Sequence, residues 1–136
     1  MFYLCSIMGL DLKFLPLKGR ELMERMIIAA TVLDVPDDYS IFGQIANVTG
    51  ESMDADSGLD VVVRPLILPP KTKVWIPEHE QRLKTRKDAY GTDLTYAFAE
   101  QLREIRPKEN ITPRGKAALA YIKALPKDVP VILYWH

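Results

Sequence analysis

Apolar positions recur with two different periods along this chain. From Leu10 to Leu17 (LDLKFLPL) apolar and polar residues alternate at first, with Leu10, Leu12 and Phe14 on one side. That is the period of a half-buried strand, and Pro16 should end it. After Gly19 the spacing lengthens. Leu22, Met26, Ala29 or Ala30 and Leu33 recur at helical steps, and Met23 with Ile27 widens the stripe. This predicts an amphipathic helix with Glu21 and Glu24 near the positive end of its dipole and Pro36-Asp37-Asp38 as its stop. Ile41, Phe42, Ile45 and Val48 fit either a short helix or a buried strand, and the polar stretch Thr49 to Asp60 reads as a loop.

Two β-branched and apolar runs follow, Val61 to Leu68 and Lys73 to Ile76, separated by Pro69-Pro70-Lys71-Thr72. Turn composition between such runs predicts a β-hairpin. Pro65 cannot donate to a ladder, so the first strand should lie at an edge or carry a bulge there. Residues 78–91 are highly charged and end in Tyr90-Gly91. Leu94, Ala97, Phe98, Leu102 and Ile105 then predict a second helix, capped by Thr92 or Asp93. A third begins with Thr112 as cap and Pro113 at the first helical position, where the missing N–H costs nothing. Its stripe is Ala118, Tyr121, Ile122 and Leu125, and Pro126 ends it. Val129 to Trp135 predicts one buried strand. The expected fold is α+β: about three helices packed on a mainly antiparallel sheet of about four strands.

Length agrees with one domain over residues 1–136, and 48% hydrophobic residues is ordinary for a packed interior. One cysteine, Cys5, cannot form an internal disulfide and suits a reducing compartment. The apolar start is interrupted by Gly9, Asp11 and Lys13, well short of the ~20 residues a spanning helix needs. It also lacks the basic leader of a secretory signal. Asn110-Ile-Thr112 spells a glycosylation sequon, but Pro113 follows it. A cytoplasmic protein with no membrane contact is expected.

Charge changes the picture once it is divided. The chain holds 18 bases and 18 acids, which excludes a uniformly basic nucleic-acid binder and an acidic DNA mimic. Residues 1–60 nevertheless carry ten acids against four bases, and residues 61–136 eight against fourteen, giving −6 and +6. Folding either presents these as two faces or lets them neutralise each other.

Candidate chemistry is sparse. Asp54, Asp56 and Asp60 alternate in a glycine-containing loop, but the calcium-loop glycine falls one place early at Gly58 and Pro65 replaces the closing glutamate. His79 and His136, with Cys5 far away, have no zinc spacing. Glu78-His79-Glu80 could tune a base, and a small hydrolase or nuclease would have to combine His79 with the acids of 54–60. A histidine at position 136 would suffer local fraying unless the final strand is central. No nucleophile elbow or glycine-rich phosphate loop occurs. No cofactor, metal site or catalytic residue is expected. The strongest interaction feature is basic and aromatic: Lys71, Lys73, Trp75, Arg82, Lys84, Arg86, Lys87 and Tyr90. Such interleaving can hold a phosphate backbone and stack a base, although Glu78, Glu80 and Asp88 dilute it.

Three segments carry a resemblance: Met8-Gly9-Leu10-Asp11, Asp88 through Tyr96 (DAYGTDLTY), and Ala124-Leu125-Pro126 with Val131 to His136 (VILYWH). Together they resemble small accessory proteins encoded by bacteriophages and prophages. The resemblance makes Met8 the expected natural start and leaves residues 1–7 as an upstream extension. It implies no reaction, cofactor or catalytic residue. It implies a setting in the bacterial cytoplasm, where such proteins bind and inhibit host proteins, including components of antiviral defence. The expected partner is therefore a host or phage protein held by the region Lys71 to Tyr90. Nucleic acid on the same residues is the alternative, and an apolar hairpin edge would also suit a homodimer.

Overall fold

The computed structural model describes residues 10–17, 26–28, 31–70, 72–78 and 81–136, with 26–28, 77–78 and 81–84 described by backbone alone. Five strands form one antiparallel sheet in the order β3-β1-β8-β7-β4: β1 (Asp11–Pro16), β3 (Leu33–Pro36), β4 (Leu66–Ile67), β7 (Thr95–Phe98) and β8 (Pro130–Trp135). Three more strands form a second sheet in the order β2-β5-β6. There β2 (Met26–Ile28) runs parallel to β5 (Lys73–Glu78), and β6 (Gln81–Thr85) runs antiparallel to it. Helices α1 (Tyr39–Phe42), α2 (Ala99–Leu102) and α3 (Pro113–Ala124) complete the described elements. The class is α+β, with three helices on a mainly antiparallel sheet among the described residues; that sheet has five strands, one more than the sequence suggested.

Alternation along β1 decides how the layers stack. Leu12 and Phe14 belong to the cluster that Ile41 and Phe42 of α1, Leu102 of α2 and Ala118 and Ile122 of α3 also fill. Leu15 points the other way, into a second cluster with Ile132, Tyr134, Leu94 and Leu68, closed by Val74 and Ile76 of β5. The large sheet is thus covered on one face by helices and on the other by the small sheet. Strand β8 lies at its centre and all six of its residues are buried, which accounts for its unbroken apolar run. Phe42 meets Trp135 edge-on, with centroids 5.2 Å apart.

Three expected elements differ. The helix expected from Leu22 to Leu33 is replaced from Met26 onward by β2 and β3; its beginning lies outside the described residues. Ile27, Ile28, Thr31, Val32 and Val35 make this stretch β-branched, and branching at Cβ favours the pleated state over the helical stripe. The hairpin between 61–68 and 73–76 does not form, because β4 pairs with β7 and β5 turns back onto β6 instead. Pro65 does precede an edge strand. The helix expected over Leu94 to Ile105 is replaced in its first part by β7, whose buried and half-buried residues alternate, and shortened to the one-turn α2 that follows. Helix α3 begins as its cap signals require, with the Thr112 hydroxyl accepting from the Gly115 N–H at 3.0 Å. Tyr121, placed on its buried stripe by spacing, is 43% exposed.

One buried carboxylate joins two helix starts. Asp38 caps α1 by accepting from the Ile41 N–H at 3.3 Å, and also accepts from the Ser40 hydroxyl. Its other oxygen receives the Thr112 N–H and the Thr112 hydroxyl, each at 2.9 Å. Nearby, the buried Gln44 amide donates to the Ser40 and Arg106 carbonyls and accepts from the Arg106 N–H. These bonds satisfy polar groups that burial would otherwise make costly, and they fix α3 against α1.

Candidate functional site

The basic segment is divided by the fold into an outer sheet face and a structural hinge. The ladder of β5 and β6 pairs Val74 with Thr85, Trp75 with Lys84, Ile76 with Leu83, Pro77 with Arg82 and Glu78 with Gln81. Successive strand residues alternate between faces. Val74 and Ile76 are buried in the core, so positions 78, 81, 83 and 85 share the inward parity. Lys73 is exposed and Trp75 half-buried, and they share the outward parity with Pro77, Arg82 and Lys84. The parallel register adds Met26 beside Lys73 and Ile28 beside Trp75. The acid that dilutes the patch in sequence, Glu78, thereby falls on the opposite parity from the three bases.

The remaining expected residues are employed otherwise. The half-buried Arg86 donates through Nη1 to the Pro69 carbonyl at 2.7 Å and the Thr72 carbonyl at 2.5 Å, while the Leu94 N–H bonds to its own carbonyl at 2.8 Å. It holds the connection between the two sheets. Lys87 pairs with Asp93 at 3.0 Å. Tyr90 is 41% exposed in a turn tied by its own N–H and that of Thr92 to Asp88 Oδ1, at 2.9 and 3.0 Å. Burial raises the Asp88 carboxyl above its ordinary value, and these two N–H groups oppose the shift. Gly91 completes the turn at φ 81°. Lys71, His79 and Cys5 lie outside the described residues.

Comparison of the chain with protein-family models, curated proteins and solved structures finds no match. Its own geometry therefore carries the functional reading.

A second polar group gathers at the rim of the large sheet and was invisible in the sequence. Lys13 on β1 lies opposite Asp34 on β3 and Tyr134 on β8. The Lys13 Nζ is 3.1 Å from His136 Nε2 and 3.5 Å from Asp34 Oδ1, and the same carboxylate oxygen is 3.5 Å from His136 Nε2. Arg114 of α3 reaches the other Asp34 oxygen at 3.9 Å, so one acid of the negative half takes a base of the positive half. Because β8 is central and His136 exchanges both backbone bonds with Asp11, this histidine is held rather than frayed. Its ring stacks on Tyr134 at 5.8 Å. With the Lys13 amine, the His136 imidazole and the Asp34 carboxyl within 3.5 Å of one another, the cluster ties β1, β3 and β8 together. No three His, Cys, Asp or Glu side chains converge as a metal site among the described residues, and Asp54, Asp56 and Asp60 surround an exposed 3₁₀ turn (Ala55–Ser57). No helix there is long and apolar enough to cross a membrane.

The edges of the large sheet carry prolines. Leu68 donates to Leu94 and Leu66 pairs with Tyr96, so the backbone of positions 65, 67 and 69 points away from β7. Two of those three are Pro65 and Pro69, leaving Ile67 as the one outward N–H between them. On β3 the corresponding outward positions are Asp34 and Pro36. Exposed Leu66 and Ile67 thus sit on an edge with little capacity to accept another strand.

Proposed function

We propose that this chain is a non-enzymatic bacteriophage or prophage accessory protein. It acts in the bacterial cytoplasm by binding a host or phage protein through the outer face of the small sheet, and inhibition of a host or antiviral-defence protein is the outcome such binding would serve. The observation that supports this reading is the register of β5 and β6, which collects Lys73, Trp75, Arg82 and Lys84 on one face and assigns Glu78 to the other. A large aromatic sharing a strand face with cationic positions is the composition of an interface centre rather than of a merely solvated strand. Arg86 and Lys87 are left out of the surface because each already has a structural partner.

Charge reversal tests the surface. Lys73→Glu, Arg82→Glu and Lys84→Glu together should abolish capture of a stoichiometric partner from host lysate while shifting the melting temperature by no more than about 3 °C. Capture that survives unchanged would remove this face from consideration.

The alternative is a nucleic-acid-binding module on the same residues, favoured by the register that puts an aromatic position, Trp75, on the same face as cationic ones. Titration of labelled single- and double-stranded DNA and RNA at two salt concentrations separates the two readings. A steep fall in affinity with salt belongs to the alternative.

A further inference from the structure

Four strands end the two sheets among the described residues: β3 and β4 on the large one, β2 and β6 on the small one. They differ in what their outer backbone offers. Prolines flank β4 at positions 65 and 69 and one, Pro36, lies outward on β3, as described above, whereas β6 neither contains nor is flanked by one. Its register shows which groups are spare. Pro77 has no N–H to give, so the hydrogen-bonded pairs of the β5–β6 ladder are Val74 with Thr85, Ile76 with Leu83 and Glu78 with Gln81. Arg82 and Lys84 fall between those pairs, and their backbone N–H and C=O groups point away from β5. Among the described residues, two donors and two acceptors therefore line the outer edge of β6, at residues that are both cationic.

We propose that β6 is the docking edge: an extended acidic segment of the partner protein adds to it as a fourth strand of the small sheet. This rests on the protein-binding reading above and specifies the partner's chemistry. The ladder supplies the affinity common to strand addition, and alternate side chains supply the selectivity. A partner strand with acids at alternate positions sets them on the outer face beside Arg82, Lys84 and Lys73. The apolar or small residues between those acids continue the inward parity of Leu83. Like charges would oppose pairing of this edge with a second copy of itself: two β6 strands side by side would bring the cationic positions 82 and 84 together. An acidic strand removes that repulsion, so the same cations that oppose self-association select the partner.

The test uses the full chain and a peptide of about six residues alternating glutamate with valine, matched to the length of β6. Binding is read by intrinsic tryptophan fluorescence and by amide shifts of residues 81–85. Two N-methylated versions of the peptide differ only in which alternate amides are blocked. Blocking the amides that face β6 should weaken binding at least about tenfold, and blocking the other set should leave it within about twofold. On the protein side, Lys84→Pro removes an outward N–H without touching the β5 ladder, and should cost a similar factor while Lys84→Arg retains binding. Equal loss from both methylated peptides, or full binding by a folded Lys84→Pro chain, would overturn the edge. If the triple reversal of Lys73, Arg82 and Lys84 to Glu still abolishes partner capture in that case, the outer face stands and only the strand addition is wrong. Preference for single-stranded DNA over the acidic peptide would overturn both.

Discussion

Replacing Gly115 by alanine sets two sizeable effects against each other, and the structure decides the sign. Gly115 lies in the first turn of α3, where alanine ordinarily gains about 1 kcal/mol from helix propensity. A Cβ added there would stand 2.0 Å from Asp38 Oδ2 and 2.8 Å from Ile41 Cδ1. Neither neighbour has room to yield. Ile41 is fully buried, and Asp38 Oδ2 holds both the N–H and the hydroxyl of Thr112 at 2.9 Å. Displacing the carboxylate gives up bonds of about 1.5–3 kcal/mol each to a charged acceptor, and overpacking adds about 1–3 kcal/mol. These losses overlap, since moving Asp38 relieves the overpacking, so the net expectation is a destabilisation of about 2–4 kcal/mol after the propensity gain. A domain of this size should then melt roughly 10 °C lower. Urea denaturation and thermal circular dichroism of Gly115→Ala measure it directly. The contact itself is isolated by a double-mutant cycle: in an Asp38→Ala background the added methyl group should cost much less. A higher melting temperature for Gly115→Ala, or an undiminished penalty in the Asp38→Ala background, would refute the close-contact reasoning.

Other substitutions probe the hinge, the acidic turn and the rim. Arg86→Ala should cost about 1–3 kcal/mol in a urea titration because it removes the guanidinium's bonds to the Pro69 and Thr72 carbonyls, and Arg86→Lys should recover only part of that. Since burial raises the folded pKa of Asp88, its contribution to stability is fully present below the unfolded carboxyl pKa and is lost as pH rises through the folded value. Asp88→Asn keeps an acceptor for Tyr90 and Thr92 without the charge. It should therefore gain stability relative to the native chain between acidic and neutral pH, and a pH-independent difference would be the wrong result. Asp34→Asn, at a rim only partly shielded from water, should change stability by no more than about 1 kcal/mol, with the effect shrinking in high salt.

The elements legible in the sequence are those with a long or chemically marked pattern. The alternation of β1, the β-branched run of β8 and the Thr112-Pro113 start of α3 each name one local structure, and the fold uses all three. The failures are short strands. Three or four residues sample no more than two full strand periods, so Met26, Ala29 or Ala30 and Leu33 matched helical steps by coincidence while their β-branched neighbours favoured strands. Strand partners were equally hidden: β4 lies close to β5 in sequence yet pairs with β7. That pairing is also what made the site hard to judge. Glu78 seemed to weaken the basic patch until register put it on the opposite parity, and Arg86 looked like part of the surface until its guanidinium was found on two backbone carbonyls. Nothing local marks Lys13, Asp34 and His136 as neighbours, because only the assembled sheet brings β1, β3 and β8 side by side.

The central position of β8 has a kinetic consequence. Lys13 and His136 meet across 123 residues of chain, and the β1–β8 ladder closes that whole loop. Loop-closure entropy must be met before the sheet's middle exists, so folding should be slow for the protein's size. It should also be non-vectorial: until residues 130–136 have been synthesised, β1 and β7 have no strand between them and both faces of the future core remain wet. Truncation by a few residues at this end should therefore be far more damaging than its length implies, leaving an aggregation-prone chain rather than a slightly smaller domain.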